Sequence, residues 1–484
     1  MVFSSVTFLC MFLPATLLGY YILPQKARGI WLLVASLGFY ACGGPKHLIY
    51  LIASIVFNFA AGIVISSLGT RTHQKIALAV GVLVNIGSLI WFKYTGFFVE
   101  TYNGIFGKDA VIPKIILPLG ISFYTFQCIS YITDVYRAGA DEGPNRIATK
   151  DPLKFALYIT MFAQLLQGPI IRFADVKDSL EKLSATTDQF VKGIERFIVG
   201  LAKKAIIANT IGEVCDKIFA MDTSGMSTQV AWLGAVLYTL QIYFDFAGYT
   251  DMAVGLGKMF GFEFAENFNY PYISKSVTEF WRRWHITLGS WFRDYLYIPL
   301  GGNRRGNVYV NLLIVFLATG LWHGAAWGFV VWGLWHGLFM LIERALKGKK
   351  LPFALPAFVS SALKWGYTIL AVSIGWVMFK IEDIAQALSY IKVMFHLEHH
   401  DYNAFSLGFF LDARLAFFLI IALLACVPWA QVLPRFVSAR IAEFTDSDKK
   451  VPRIARHACL LMLLVISFIF IVNTTYSPFI YFQF

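Results

Sequence analysis

Three histidines carry most of the chemistry in this sequence. His285 stands in Arg282-Arg283-Trp284-His285, His323 in Gly320-Leu321-Trp322-His323-Gly324, and His336 in a second copy of that phrase, Leu334-Trp335-His336-Gly337. His323 follows His285 by 38 residues, and His336 follows after 13 more. The second and third lie in stretches otherwise fit for lipid. An ionisable residue inside a membrane span is costly and by default marks a functional site. Imidazole exchanges its proton near neutral pH, and burial disfavours its charged form. Desolvated histidines here predict neutral proton acceptors and proton-transfer chemistry at membrane depth. Trp322 beside His323 offers a flat wall, and Gly324 admits a close backbone or substrate. The alternative for each histidine is a packing residue hydrogen-bonded to a backbone carbonyl.

Other constellations are weaker. Asp245 and Asp251 interrupt the apolar run Tyr243–Asp251. Asp245 either orients a histidine or forms a buried ion pair with Arg282, Arg283 or Arg293. His396, His399 and His400 lie among polar residues and read as a solvated loop rather than a metal site. No metal is expected, and no nucleophile elbow, phosphate loop or zinc-protease motif occurs.

The elements that position these residues follow from composition. The chain of 484 residues is 58% hydrophobic and 14% charged, with a mean hydropathy of +0.63. A soluble core of this size has no use for so much apolar surface. Apolar stretches near the ~20 residues needed to cross a bilayer recur from end to end. They lie near 3–23, 29–41, 48–67, 76–98, 113–133, 152–171, 194–214, 228–257, 308–326, 328–342, 361–380, 413–433 and 457–475. The expected fold is an all-α polytopic transmembrane protein, with roughly ten to thirteen membrane elements. The net charge of +12 reflects Lys and Arg in loops that face the cytoplasm, not nucleic-acid binding.

The stretch 258–307 interleaves charge with aromatic rings, as short in-plane helices in the membrane interface do. Gly301-Gly302-Asn303 then breaks the chain. Beyond it, 308–342 reads as a helical hairpin turning at Gly324-Ala325-Ala326. His323 lies 15 residues along it, ~22 Å from the start at the helical rise. A single membrane-embedded domain over 1–484 is expected.

With these residues in view, the chain resembles the membrane-bound O-acyltransferase family, in its bacterial polysaccharide O-acetylation branch. The resemblance runs almost end to end. It includes Met1–Ser5, Leu117–Tyr124, Tyr131–Arg137, Gln167–Ile170 and Tyr243–Gly257. Its strongest part is Pro271–Asn303, followed by Gly320–Gly324, with Tyr476–Phe479 and Tyr481–Phe484 at the end. Departures fall in loops, such as 138–151 and 396–412.

The resemblance implies an acyltransferase with His323 catalytic and His285 as a second site residue. A role for His336 transfers less directly. It further implies cytoplasmic acetyl-CoA as donor, with no permanently bound cofactor, in a multi-pass protein of the bacterial inner membrane. The final acceptor is an extracytoplasmic polysaccharide, reached through a separate periplasmic or membrane-anchored O-acetyltransferase. In such a reaction neutral His323 takes the hydroxyl proton. His285 orients the donor or the developing oxyanion, helped by Arg282 or Arg283. Two other readings stand beside this one: a D-alanyl transferase of the teichoic-acid type, and a proton-coupled transporter using the buried histidine.

Overall fold

The computed structural model describes residues 1–139, 147–349, 356–397, 405–432, 450–474 and 476. Every regular element among them is helical. Six helices there are long and apolar enough to cross a membrane: Pro45–Ser67, Arg71–Phe106, Thr228–Met259, Trp327–Leu346, Ala357–Lys380 and Arg453–Asn473. Three shorter apolar helices, Phe8–Ile22, Val308–His323 and Ala413–Ala425, accompany them. The protein is an all-α, multi-pass membrane protein.

The chain clusters into two compact units, Met1–Phe197 with Thr250–Glu266, and Ile198–Tyr249 with Asn267–Phe484. The first unit holds α1 (Leu13–Ile22), α2 (Gln25–Ala41), α3 (Pro45–Ser67), α4 (Arg71–Leu89), α5 (Thr95–Phe106), α6 (Ile121–Ala138), α7 (Pro152–Thr160) and α8 (Phe173–Lys182). Within it, Asn58 of α3 and Asn85 of α4 exchange amide hydrogen bonds of 3.1 and 2.7 Å. Reciprocal amides satisfy each other where water is scarce.

Two apolar stretches of this unit are only partly helical. Of 113–133, helix begins at Ile121; of 152–171, it stops at Thr160. Pro113 and Pro118 lack the donors a helix needs, and Gly120 adopts φ +71°. A Cβ on Gly120 would lie 2.8 Å from the Leu165 carbonyl, so the two non-helical segments meet there. Pro169 stops the second from resuming a helix.

α9 (Thr187–Ala202) leads through a π-helical turn, Lys203–Ala208, into α10 (Asn209–Phe219). α11 (Thr228–Met259) follows, its residues up to Tyr249 belonging to the second unit. The charged, aromatic stretch forms α12 (Val277–Arg283) and α13 (Ile286–Phe292). Their aromatic faces turn inward: Phe280, Trp284 and Trp291 are buried, while Arg282, Arg304 and Arg305 are exposed.

α14 (Val308–His323) and α15 (Trp327–Leu346) form the expected hairpin. Asn307 caps α14, its side chain accepting from the Tyr309 N–H at 2.9 Å. α16 (Ala357–Lys380) packs beside α15, and α17 (Ile384–Met394) follows. Glu343 of α15 braces α12 by accepting from the N–H groups of Val277 (2.6 Å) and Thr278 (2.9 Å). The core of this unit is strongly aromatic, with Trp284, Trp332, Trp376, Tyr238 and Tyr390 almost wholly enclosed.

Candidate functional site

All three histidines fall in the second unit. His323 is the last residue of α14, 4% exposed. Its ring meets Trp322, Trp332 and Phe379 edge-on, at centroid separations of 4.9, 5.0 and 5.3 Å. Glycine keeps the turn that follows close to Phe329: a Cβ on Gly324 would fall 2.0 Å from that ring and displace it.

His336 lies in α15, one turn beyond Trp332, and is fully enclosed. Trp281, Trp332 and Trp376 surround it at 5.2, 5.3 and 6.3 Å, with Phe280 stacked at 6.5 Å. Neither ring nitrogen has a hydrogen-bond partner among the described residues. His336 is therefore not the carbonyl-bonded packing histidine that its sequence context allows. Trp332 touches both His323 and His336, so one indole separates the two imidazoles.

His285 occupies the joint between α12 and α13, in a left-handed conformation (φ 45°, ψ 54°) rare for a side chain of this size. It is 1% exposed. Phe246 meets its ring at 4.8 Å and Trp322 at 6.0 Å. Trp322 is thus the shared neighbour of His285 and His323. The His285 Nδ1 lies 3.0 Å from Asn267 Oδ1, a side-chain partner rather than a backbone carbonyl. Burial draws the His285 imidazole down to about 3, so it is neutral at physiological pH.

Of Arg282, Arg283 and Arg293, the first is exposed and the other two pair with nearby carboxylates. Arg282 is exposed. Arg283 pairs with Glu279 at 3.0 Å and donates to the Asn269 carbonyl at 3.1 Å, stapling α12 to the preceding chain. Arg293 pairs with Asp294. Asp245 pairs with Lys204 instead, each residue at most 5% exposed. Glycines make that pairing reachable, since a Cβ on Gly248 would lie 2.8 Å from the Gly200 carbonyl. The sequence hid this partner because Lys204 lies in a different apolar stretch, 194–214, 41 positions upstream.

Lys204→Met is expected to destabilise the protein by roughly 3–5 kcal/mol, because it removes the cation paired with a buried carboxylate. Adding Asp245→Leu is expected to recover much of that loss. Thermal unfolding in detergent reads both.

Other site neighbours were also missed. Asn267 lies before α12 and Trp376 and Phe379 lie in α16, and no local spacing connects these three to the histidines; Trp332 stands one turn before His336 on α15. Among the described residues no group of three or more His, Cys, Asp or Glu side chains is placed to hold a metal. His396 lies 3.4 Å from the Thr228 hydroxyl, while His399 and His400 lie outside the described residues.

A multi-pass helical membrane protein that encloses neutral imidazole among aromatic rings has the makings of a proton-transfer site shielded from water. The family model for the membrane-bound O-acyltransferases matches residues 103–379, a span that includes all three histidines. The chain belongs to that family and is an acyltransferase. It is 40% identical to a probable alginate O-acetylase of Azotobacter vinelandii over the full length of both chains. It is 45% identical to one of Pseudomonas aeruginosa over 82% of this chain and 75% of that protein. A peptidoglycan O-acetyltransferase of Helicobacter pylori is 35% identical over 81% of this chain and 80% of its own.

Proposed function

We propose that this acyltransferase takes an acetyl group from cytoplasmic acetyl-CoA and passes it across the bacterial inner membrane for O-acetylation of an extracytoplasmic polysaccharide. The observation that carries the reading is His323, enclosed by Trp322, Trp332 and Phe379 at the end of α14. The names of the relatives support an acetyl group and a glycan acceptor.

In the reaction, a hydroxyl oxygen attacks the thioester carbonyl carbon. The new C–O bond forms and the C–S bond breaks. His323 takes the hydroxyl proton during attack and returns it to the departing thiolate, so that coenzyme A leaves as the thiol. The aromatic wall excludes water, which would otherwise compete as the attacking hydroxyl. A separate extracytoplasmic transferase completes delivery to the polymer.

The test uses proteoliposomes loaded with acetyl-labelled acetyl-CoA, with that partner transferase and a glycan outside. Label on the external glycan, dependent on both proteins, is the expected result. Passage of intact substrate without an acyl donor would make the protein a transporter. Preference for a D-alanyl carrier thioester over acetyl-CoA would move it to the teichoic-acid class.

A further inference from the structure

Helix α13 begins without a cap of its own. Its N-cap residue is His285, whose side chain makes no capping bond, whereas Ser, Thr, Asp or Asn usually fills that position. Asn267, 18 residues upstream and 2% exposed, supplies the cap instead. Its backbone carbonyl accepts the Ile286 N–H at 2.9 Å. Its side-chain Oδ1 accepts the Thr287 N–H at 3.2 Å and the Thr287 hydroxyl at 2.9 Å.

That arrangement fixes the orientation of the amide. A backbone N–H only donates, so the atom facing Thr287 is the oxygen; a flipped amide would set N–H against N–H. The same oxygen lies 3.0 Å from His285 Nδ1. With an acceptor opposite it, Nδ1 carries the hydrogen, and in neutral imidazole Nε2 is then a bare lone pair. Nε2 is buried and has no partner among the described residues.

We propose that Asn267 is the positioning residue of His285. It caps α13 in place of His285 and holds the imidazole as the Nδ1–H tautomer, so that His285 meets substrate only as a hydrogen-bond acceptor through Nε2. The neutral ring therefore does not donate to a developing oxyanion, one of the roles its sequence context allowed. It receives an O–H or N–H hydrogen from the bound substrate. The use of that nitrogen in turnover rests on the acyl-transfer reading; the tautomer does not.

The test has two arms on the full-length protein in nanodiscs. The first is nitrogen-15 NMR of histidine-labelled protein, with His285 assigned by the signals lost in His285→Gln. A pyridine-type Nε2 and a pyrrole-type Nδ1 are expected; the reverse pattern would overturn the proposal whatever the activity. The second is a double-mutant cycle on acetyl transfer. Asn267→Leu is expected to lower kcat by about 10²-fold, as misplacement of a reacting partner does. Asn267→Asp, which keeps the acceptor, is expected to restore most of it.

The double variant Asn267→Leu/His285→Ala should be no worse than His285→Ala alone, because residues acting as a unit are not additive. Losses that multiply would make Asn267 a structural residue only. Wild-type turnover in His285→Ala would overturn the use of Nε2 in the reaction while leaving the tautomer result standing.

Discussion

Replacing His323 with alanine is expected to lower acetyl transfer by about 10²–10⁴-fold, the range that a positioned proton acceptor contributes. The fold should survive. His323 ends α14 rather than occupying its middle, and the surrounding wall of Trp322, Trp332 and Phe379 belongs to other positions. His323→Gln is the sharper variant, because it keeps volume and hydrogen-bonding capacity but cannot take a proton at neutral pH. If His323 is the base, both variants lose kcat while donor affinity, read by equilibrium binding of acetyl-CoA, stays near wild type. A glutamine variant with normal kcat would reduce His323 to a packing residue. His336→Gln provides the comparison. Its ring is walled off from His323 by Trp332, so a smaller loss is expected there.

The second large effect concerns the hairpin that carries the histidine. Gly320 and Gly333 let α14 and α15 touch backbone to backbone. A Cβ on Gly320 would lie 2.3 Å from the Phe329 carbonyl oxygen, and one on Gly333 would lie 2.4 Å from that of Phe316. Neither obstacle is a flexible side chain that swings away. In a bilayer the helices gain little from hydrophobic burial, so their association depends on this close approach. Gly320→Ala or Gly333→Ala must push the helices apart, at a cost of about 1–3 kcal/mol by analogy with overpacked cores.

Gly320 lies three residues before His323, so acetyl transfer should fall together with the unfolding temperature. Gly366→Ala in α16 is the control, since a Cβ there meets nothing within 4 Å. It should be near neutral or slightly stabilising. Equal behaviour of all three variants in thermal unfolding would remove the close-packing argument.

Much of this architecture was legible in the sequence, because lipid imposes length and hydropathy on each span. The hairpin and its turn at Gly324 follow from counting residues. The break at 258–307 was equally plain, since charge and aromatic rings alternate there. Local counting fails where the cause is tertiary. Pro113, Pro118 and Gly120 delay the start of α6, but the meeting of Gly120 with Leu165 is a contact no window of residues contains. Asp245 found Lys204 rather than an arginine because Gly200 and Gly248 bring two backbones together.

Asn267 was invisible for a related reason. Asn267 stands 18 residues before His285 in no motif that links the two, and its hold on His285 exists only once α12 folds back. The two nitrogens of His285 have different roles for the same reason, and composition carries no trace of that. The sequence thus located the histidines, while the partners that set their chemistry came from the fold.

The most direct test of the central claim is release of coenzyme A thiol from acetyl-CoA by the purified protein in nanodiscs, with its partner transferase and acceptor present. Wild type and His323→Ala are run side by side, with acetyl-CoA binding checked for each. Thiol release by the wild type, lost in the variant with binding kept, is the predicted result. Release at the same rate in His323→Ala, or none from the wild type with the partner supplied, would contradict acyl transfer from this donor through His323.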